Sequence, residues 1–308
     1  TRNESYYGDA PHLDAITFVP IPDEGARVNA LLSGDVDVIH FIPWAAFAQI
    51  ESNPSFTLYL HTDAVLFLQY KADAPPFDDV RVREAIGYAI NRDAVIRAAF
   101  LGYGTTITGG AIPADHVAHN ADLEGTYTYD PDHARELLEE AGVIGQTITI
   151  DTYSLPFAVR TAEVIQNNLE QVGLNAEIVV SEWPSFQEKT TQEQNFQARV
   201  YGAGWRVPDL DFYTPFVGTG GEFAGPGHFS DPELDQLLAT GRSTVDPEER
   251  YGIYHQIEER VLEESPMSFI AWRVNAWAAS KAVHGLTLVP DPMGSLSGFN
   301  LSQTWLER

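Results

Sequence analysis

From Gln146 to Trp205 the chain alternates strand-like and helix-like stretches, and no other feature constrains the fold as tightly. "QTITIDTY" reads as a strand and "PFAVRTAEVIQNNLEQVG" as a helix ended by Gly173. "LNAEIVVSEW" is a second strand, "PSFQEKTTQEQ" a second helix and "FQARVYGAGW" a third strand. Strands joined through helices run parallel, and the helices cover the sheet faces. The spacing therefore predicts an α/β fold with a mostly parallel sheet. In open sheets of this kind ligands sit outside the carboxyl ends of the strands. Two such ends carry unusual residues. "DTYSLP" (Asp151–Pro156) presents Tyr153 and Ser154, and "RVYGAGWRVPDLDFY" (Arg199–Tyr213) sets an aromatic, a cation and two anions on one tight corner.

The rest of the chain extends the alternation. "AITFVPI" (Ala15–Ile21) reads as a strand, and "DEGARVNALLSG" as a helix with Ala26, Ala30 and Leu31 on one face and Gly34 as its stop. "DVDVIHFIP" is the next strand, "WAAFAQIES" the next helix, and "FTLYLHTDAVLFLQYKA" two strand-like pieces. Pro75-Pro76 marks a turn. Asp78 or Asp79 can cap the following helix, and Asp93 the one after. Residues 104–129 lack periodicity and read as a long loop. Asp130-Pro131, Asp231-Pro232 and Asp246-Pro247 each predict a helix start, with Asp accepting first-turn N–H groups and Pro losing nothing at the first position. Glu249 adds a capping box to the last. "MSFIAWRVNAWAASKAVHGLTLVP" reads as one or two strands returning to the first unit.

Composition excludes several partners. The 308 residues suffice for two domains and are 44% hydrophobic. Formal net charge is −26, from 44 acidic and 18 basic residues, and the lysines are Lys71, Lys189 and Lys281. Such a field repels nucleic acid and anionic membrane surfaces. With no cysteine there are no disulfides, thiolate metal sites or cysteine nucleophiles. No apolar run approaches the ~20 residues of a membrane span, and the N-terminus is no signal peptide.

Catalytic patterns are missing as well. There is no GxSxG, no P-loop and no GxGxxG, and nothing pairs a nucleophile with a base. His116 and His119, flanked by Asp115 and Asp122, would bind zinc only on a helix, and they read as a solvated polar loop. Arg81 and Arg83 read as partners of nearby acids on a helix surface. The sequence thus predicts neither enzyme activity, nor a cofactor, nor a metal.

Several segments together resemble a known family. "NESYYGDAPHLDAITFVPIPDEGARVNALLSGDVDVI", "PPFDDVRVREAIGYAINRDAVI", "YDPDHARELLEEAG" and "FSDPELDQLLATGRSTVDPEERYGIYHQIEERVLEESP" are similar to the C-terminal part of family 5 extracellular solute-binding proteins, the oligopeptide, dipeptide and nickel type of ABC-transporter receptor. The resemblance implies a type II periplasmic binding protein-like fold, two lobes with mixed sheets flanked by helices. Residues 1–69 and 272–308 would belong to the first lobe and residues 70–271 to the second. It further implies that about two hundred residues, roughly one domain, precede this segment and leave the first lobe incomplete. The implied function is capture of a solute, by default a peptide, between the lobes and its delivery to the membrane subunits of an ABC importer. Oligosaccharide or metal-chelate receptors and non-transport sensor modules are the alternatives. A monomer is implied, extracellular or periplasmic and membrane-anchored through a preceding segment.

The resemblance also bears on the corner. Gly204-Trp205 is retained, but the Asp that follows in peptide receptors and holds the peptide amino terminus has no plain equivalent. An arginine that some of them place three residues before the Trp is Gly202 here. The expected ligand contacts are Trp205, Tyr201, Arg206, Asp209, Tyr153, Ser154, Trp272, Arg273, Asn275 and Tyr70. Trp205 is read as an aromatic wall, with core packing as its alternative. Asp209 or Asp211 can take the amino group or cap the next helix, Asp211 preferentially the latter. Trp205, Arg206 and Asp209 would equally suit a sugar. Trp277 is expected to pack.

Overall fold

The computed structural model describes residue 1 and residues 10–204, 209–288, 299–301 and 303–307. The chain divides into two compact units: Thr1–Ala64, Gly204–Arg206 and Arg273–Arg308 in the first, Val65–Ala203 and Val207–Trp272 in the second.

In the first unit, Asp23 caps helix α1 (Glu24–Ser33) by accepting from the Ala26 N–H at 2.7 Å. Val28 and Leu31 bury its inner face, and Gly34, at φ 80°, ends it in a conformation that costs glycine little. Strand β1 (Val38–His40), a 3-10 turn (Trp44–Ala46) and α2 (Phe47–Glu51) follow. Strand β2 (Phe56–Tyr70) then crosses into the second unit as one continuous strand, not two pieces.

The second unit continues with α3 (Val80–Ala89) and α4 (Arg92–Phe100). Asp79 caps α3 as expected, but α4 is capped by Asn91, whose side chain accepts from the Ala94 N–H at 2.9 Å. Asp93 lies one residue inside, because the chain turns extended at Ile90 and Asn91 is the last non-helical residue. After β3 (Gly104–Thr106) come α5 (Pro131–Ala141), β4 (Thr147–Tyr153), α6 (Pro156–Gln171), β5 (Asn175–Ser181) and α7 (Trp183–Gln187), which runs on as a π-helical turn (Glu188–Gln192). Strand β6 (Ala198–Gly204), α8 (Tyr213–Val217), α9 (Pro232–Ser243) and α10 (Pro247–Glu264) complete the unit. Asp130, Asp231 and Asp246 cap α5, α9 and α10, each with proline in the first turn.

Strand β7 (Met267–Ser280) returns the chain to the first unit, where Val38, Ile39 and His40 of β1 pair antiparallel with Ala279, Ala278 and Trp277. The short strands β8 (Val283–His284) and β9 (Thr287–Leu288) pair with β11 (Trp305–Leu306) and β10 (Phe299–Asn300). Among the described residues one sheet has the order β1-β7-β2-β6-β4-β5, with β3 also on β7. The run from Gln146 behaves as its pattern predicts. β4 is parallel to β5 from Thr147↔Asn175 to Tyr153↔Ser181, and parallel to β6 at Ile150↔Ala198 and Asp151↔Arg199.

Two further expectations fail. Residues 15–21 form no strand: Ile16, Phe18 and Val19 are exposed, Phe18 by 84%. No described strand pairs with them, and Arg27 Nη1 takes the Ile21 and Pro22 carbonyls at 2.8 and 3.0 Å. Arg83 is not on a surface. It is buried and donates to the Phe77, Glu264 and Ser265 carbonyls, whereas Arg81 does pair with Asp79.

The stretch 104–129 is largely irregular yet tied down. Thr108 accepts from the Tyr127 N–H, and Ala111 and Ile112 are buried. The Tyr213 hydroxyl accepts from the Ala111 N–H at 2.7 Å and donates to Glu258 Oε1 at 2.7 Å, and the same carboxylate oxygen accepts from the Ile112 N–H at 3.1 Å. Burial raises the Glu258 pKa above the ordinary carboxylate range. A raised pKa penalises the charged form, so this group's contribution is full in acid and falls as pH rises through the folded-state value. Glu258→Gln, which keeps the acceptor, is expected to match or exceed the parent's stability at pH 7.5, the difference closing toward pH 4. Glu258→Ala should cost about 2–4 kcal/mol by stranding both donors. Urea denaturation at the two pH values checks both outcomes.

Candidate functional site

The carboxyl ends of β4, β5 and β6 in the second unit gather aromatic side chains. Tyr153 ends β4 and Tyr201 lies in β6, both nearly buried, while Trp183 opens α7 directly after β5 and is 44% exposed. Tyr153 meets Trp183 edge-on at 5.0 Å between centroids, and Trp183 lies 5.8 Å from Tyr201. Phe186 is within 5.9 Å of all three rings. Phe67 of β2 and Phe223 each lie 5.8 Å from Tyr201 as well. These are the separations at which ring quadrupoles attract. The result is a rigid aromatic wall with the Trp183 indole accessible. Beside it the Ser154 hydroxyl donates to exposed Glu182 at 3.1 Å, and the Ser154 N–H bonds the Ser181 carbonyl.

Beneath the wall lies a buried polar layer. The Arg199 guanidinium is 4.7 Å from the Tyr201 ring and 5.0 Å from Phe196, and donates to Gln69 Oε1 and to the hydroxyls of Thr190 and Thr191 at 2.8–3.0 Å. Burial lowers its pKa to about 10, so it remains charged at neutral pH. Its register partner Asp151 is 1% exposed and pairs with Lys189 at 2.5 Å. Desolvation raises the Asp151 pKa against the pull of Lys189 and Arg199.

The remaining expected contacts are dispersed. Trp205 and Arg206 lie outside the described residues. Asp209 caps the 3-10 turn Leu210–Phe212 through the Asp211 N–H and grips Arg250 through both oxygens at 2.9 and 2.5 Å. The Arg250 hydrogen bonds hold its pKa below the usual carboxylate value. The cap is thus Asp209, not Asp211, whose side chain accepts from the Thr214 hydroxyl. Tyr70 has no exposed surface, stacks on Phe77 at 4.9 Å and shares a 2.6 Å hydrogen bond with Ser268. Trp272 and Asn275 are buried and Arg273 half-buried along β7, and Trp277 stacks on His40 at 3.9 Å. His119 bonds the Ile112 carbonyl and Glu124, and no group of metal-ligating side chains occurs among the described residues. Nor is any helix among them long and apolar enough to cross a membrane.

Trp183, Phe186, Phe67 and Phe223 were not expected at the wall. Trp183 was within reach of sequence reasoning, since it closes "IVVSEW" at a parallel strand's carboxyl end, as Tyr153 closes its own strand. Phe67 and Phe223 carry no such signal.

The fold is that of type II periplasmic binding proteins. AgaA from A. tumefacien R10, solved with agropinic acid, superposes with a TM-score of 0.86 at 32% identity, covering 93% of this chain and 59% of that one. DppA from Helicobacter pylori, solved with peptide STSA, gives 0.87 over 99% and 59% at 22% identity. Residues 1–224 match the middle region of the bacterial extracellular solute-binding proteins, family 5, and the chain belongs to that family, one of solute receptors. The dipeptide-binding protein of Escherichia coli K12 is 28% identical over 309 residues, 97% of this chain and 57% of its own length. The glutathione-binding protein GsiB of Shigella flexneri is 28% identical over 302 residues, 91% and 57%. The chain therefore spans little more than half the length of these curated relatives.

Because Arg250 holds Asp209 ionised, that pair stabilises the fold at neutral pH, and the contribution is lost as pH falls through the lowered folded-state pKa. Asp209→Ala is expected to cost about 1–2 kcal/mol at pH 7 through the lost cap and ion pair, much of it gone near pH 2. Urea midpoints at the two pH values measure the difference.

Proposed function

We propose that this chain is the ligand-capturing portion of an extracellular receptor that takes up a peptide and delivers it to the membrane subunits of an ABC importer. The observation that carries the reading is the aromatic wall at the carboxyl ends of β4, β5 and β6, in a chain of a solute-binding family. The dipeptide- and glutathione-binding relatives support peptide as the ligand class. Mechanism is binding, not catalysis. Flat rings desolvate the ligand's apolar parts, while the few polar groups at the rim orient it. A ligand can favour one receptor conformation over another only through contacts that differ between the two, and such a difference is what the importer reads. The receptor works outside the cytoplasmic membrane, as a monomer, without a cofactor. Trp205 and Arg206 are further ligand contacts in this reading.

A second reading is favoured by the engagement of Asp209. With both oxygens on Arg250, this carboxylate is not set to hold a peptide amino group. A small acidic solute of the kind bound by AgaA then fits better than a peptide.

Thermal unfolding against di- and oligopeptides, agropinic acid, oligosaccharides and metal chelates tests both. A ligand at ~100 times its dissociation constant adds about 2.7 kcal/mol to native stability. The expected outcome is a raised melting temperature with peptides, abolished by Trp183→Ala. A shift with agropinic acid alone selects the second reading. No shift with any compound removes the receptor assignment.

A further inference from the structure

A cavity of about 10 Å³ lies in the second unit, where β3 gives way to the irregular stretch that follows it. Its polar lining comes from Arg92 of α4, from Thr108, Gly109 and Tyr127, and from Ser268 near the start of β7. The volume is that of one water molecule.

The main chain leaves two groups unpaired here. The Ile107 N–H still reaches the Ile270 carbonyl of β7 at 3.0 Å. Two residues further on the ladder has stopped. Gly109 is buried, and neither its N–H nor its carbonyl is hydrogen-bonded to any described residue. Buried main-chain groups are nearly always paired, with protein or with ordered water. The chain is also packed closely at this point, since a Cβ on Gly109 would collide with the Leu123 carbonyl.

Arg92 supplies the complement. It is 4% exposed, and among the described residues no carboxylate pairs with it. Nε donates to the Phe269 carbonyl and Nη1 to those of Gly87 and Tyr127, each at 2.9 Å. Nη2 makes no hydrogen bond to the described residues, yet it faces space that a water can enter, and the cavity is space that Arg92 lines. A guanidinium nitrogen can only donate and a carbonyl oxygen can only accept. One water accepts from the first and donates to the second. An anion would be drawn by Nη2 but repelled by the carbonyl oxygens gathered around the guanidinium. Ser268, paired with the Tyr70 hydroxyl at 2.6 Å, keeps capacity for a further bond whichever of the two donates.

We propose that this cavity is the binding site of one internal water, which accepts a hydrogen bond from Arg92 Nη2 and donates one to the Gly109 carbonyl, and so fastens the stretch 104–129 to α4. The proposal is independent of the receptor reading, and the melting-temperature panel with ligands does not bear on it.

A high-resolution crystal structure of the full-length protein, grown from sodium bromide, tests it. The expected result is one water-sized peak within about 2.7–3.2 Å of both Arg92 Nη2 and the Gly109 carbonyl oxygen, without anomalous bromide signal. No peak, a bromide in its place, or a peak that reaches only one of the two groups overturns the proposal. Val261, 3% exposed, lines the same cavity. Val261→Ile adds one methyl group to it. A methyl group that fills a dry cavity raises the melting temperature. One that displaces this water strands a donor and an acceptor, and is expected to lower it by about 2–6 °C. The comparison is read in whichever of Val261→Ile and Val261→Leu loses the peak. A melting temperature unchanged or raised in that variant overturns the fastening role.

Discussion

Parallel pairing of β4 with a neighbour on each side is the constraint on which the second unit depends. A parallel strand under helices is buried on both faces: Ile148, Ile150 and Thr152 expose nothing on one face, and Asp151 and Tyr153 only 1% and 4% on the other. Parallel order also forces each connection through a helix, so α6 and α7 are consequences of the pairing rather than additions to it. β4 and β5 end side by side at Tyr153 and Ser181 while β6 runs on to Gly204, and the side chains at this end form one surface. Tyr153, Trp183 and Tyr201 come from positions about thirty and twenty residues apart and meet only because the register aligns Tyr153 with Ser181 and Asp151 with Arg199.

Among the described residues three arginines are buried, and they show two solutions to the same cost. Arg83 and Arg92 are surrounded by main-chain carbonyls. Arg92 donates to those of Phe269, Gly87 and Tyr127 at 2.9 Å and ties α4 to the ends of other elements, and burial lowers its pKa to about 10. These two act as staples. Arg199 instead bonds side chains, Gln69, Thr190 and Thr191, and lies under a tyrosine ring. A buried cation spent on side chains fixes their rotamers and the direction of their hydrogen bonds, which is the requirement of a recognition surface. The π-helical turn Glu188–Gln192 brings both threonines to the guanidinium, in keeping with the occurrence of such turns at functional sites.

Membership of the family 5 solute-binding proteins and the geometry of the wall agree on a binding role, and they contribute different things. The family match covers residues 1–224, including strand β2, which passes between the units. The wall belongs to this chain's own side chains, and in the proposed reading it bears on which solute is chosen. Asp209 links the two questions. Its place just beyond the glycine-rich end of β6 invites comparison with an amino-terminus anchor, yet Arg250 from α10 holds it in an ion pair that stabilises the loop.

Much of this was legible in the residues. The α/β class, the parallel run from Gln146, the helix starts at Asp130, Asp231 and Asp246 and the stop at Gly34 all follow from local physics: periodicity, free N–H groups at helix ends, and glycine's tolerance of positive φ. Tyr153 and Tyr201 were placed at strand ends by the same reasoning. The failures share one cause. Residues 15–21 have strand composition, but a strand exists only when another chain segment supplies its ladder. The partners of Tyr70 and Asp209 were equally out of reach of the sequence, since Ser268 and Arg250 lie nearly 200 and about 40 residues away. The sequence by itself determined most of the helices and the parallel run from Gln146, because these rest on spacing within a few residues. Only the tertiary structure decided which polar groups are spent inside the protein and which rings form the wall, because hydrogen bonds and ring contacts are made between atoms that sequence distance does not order.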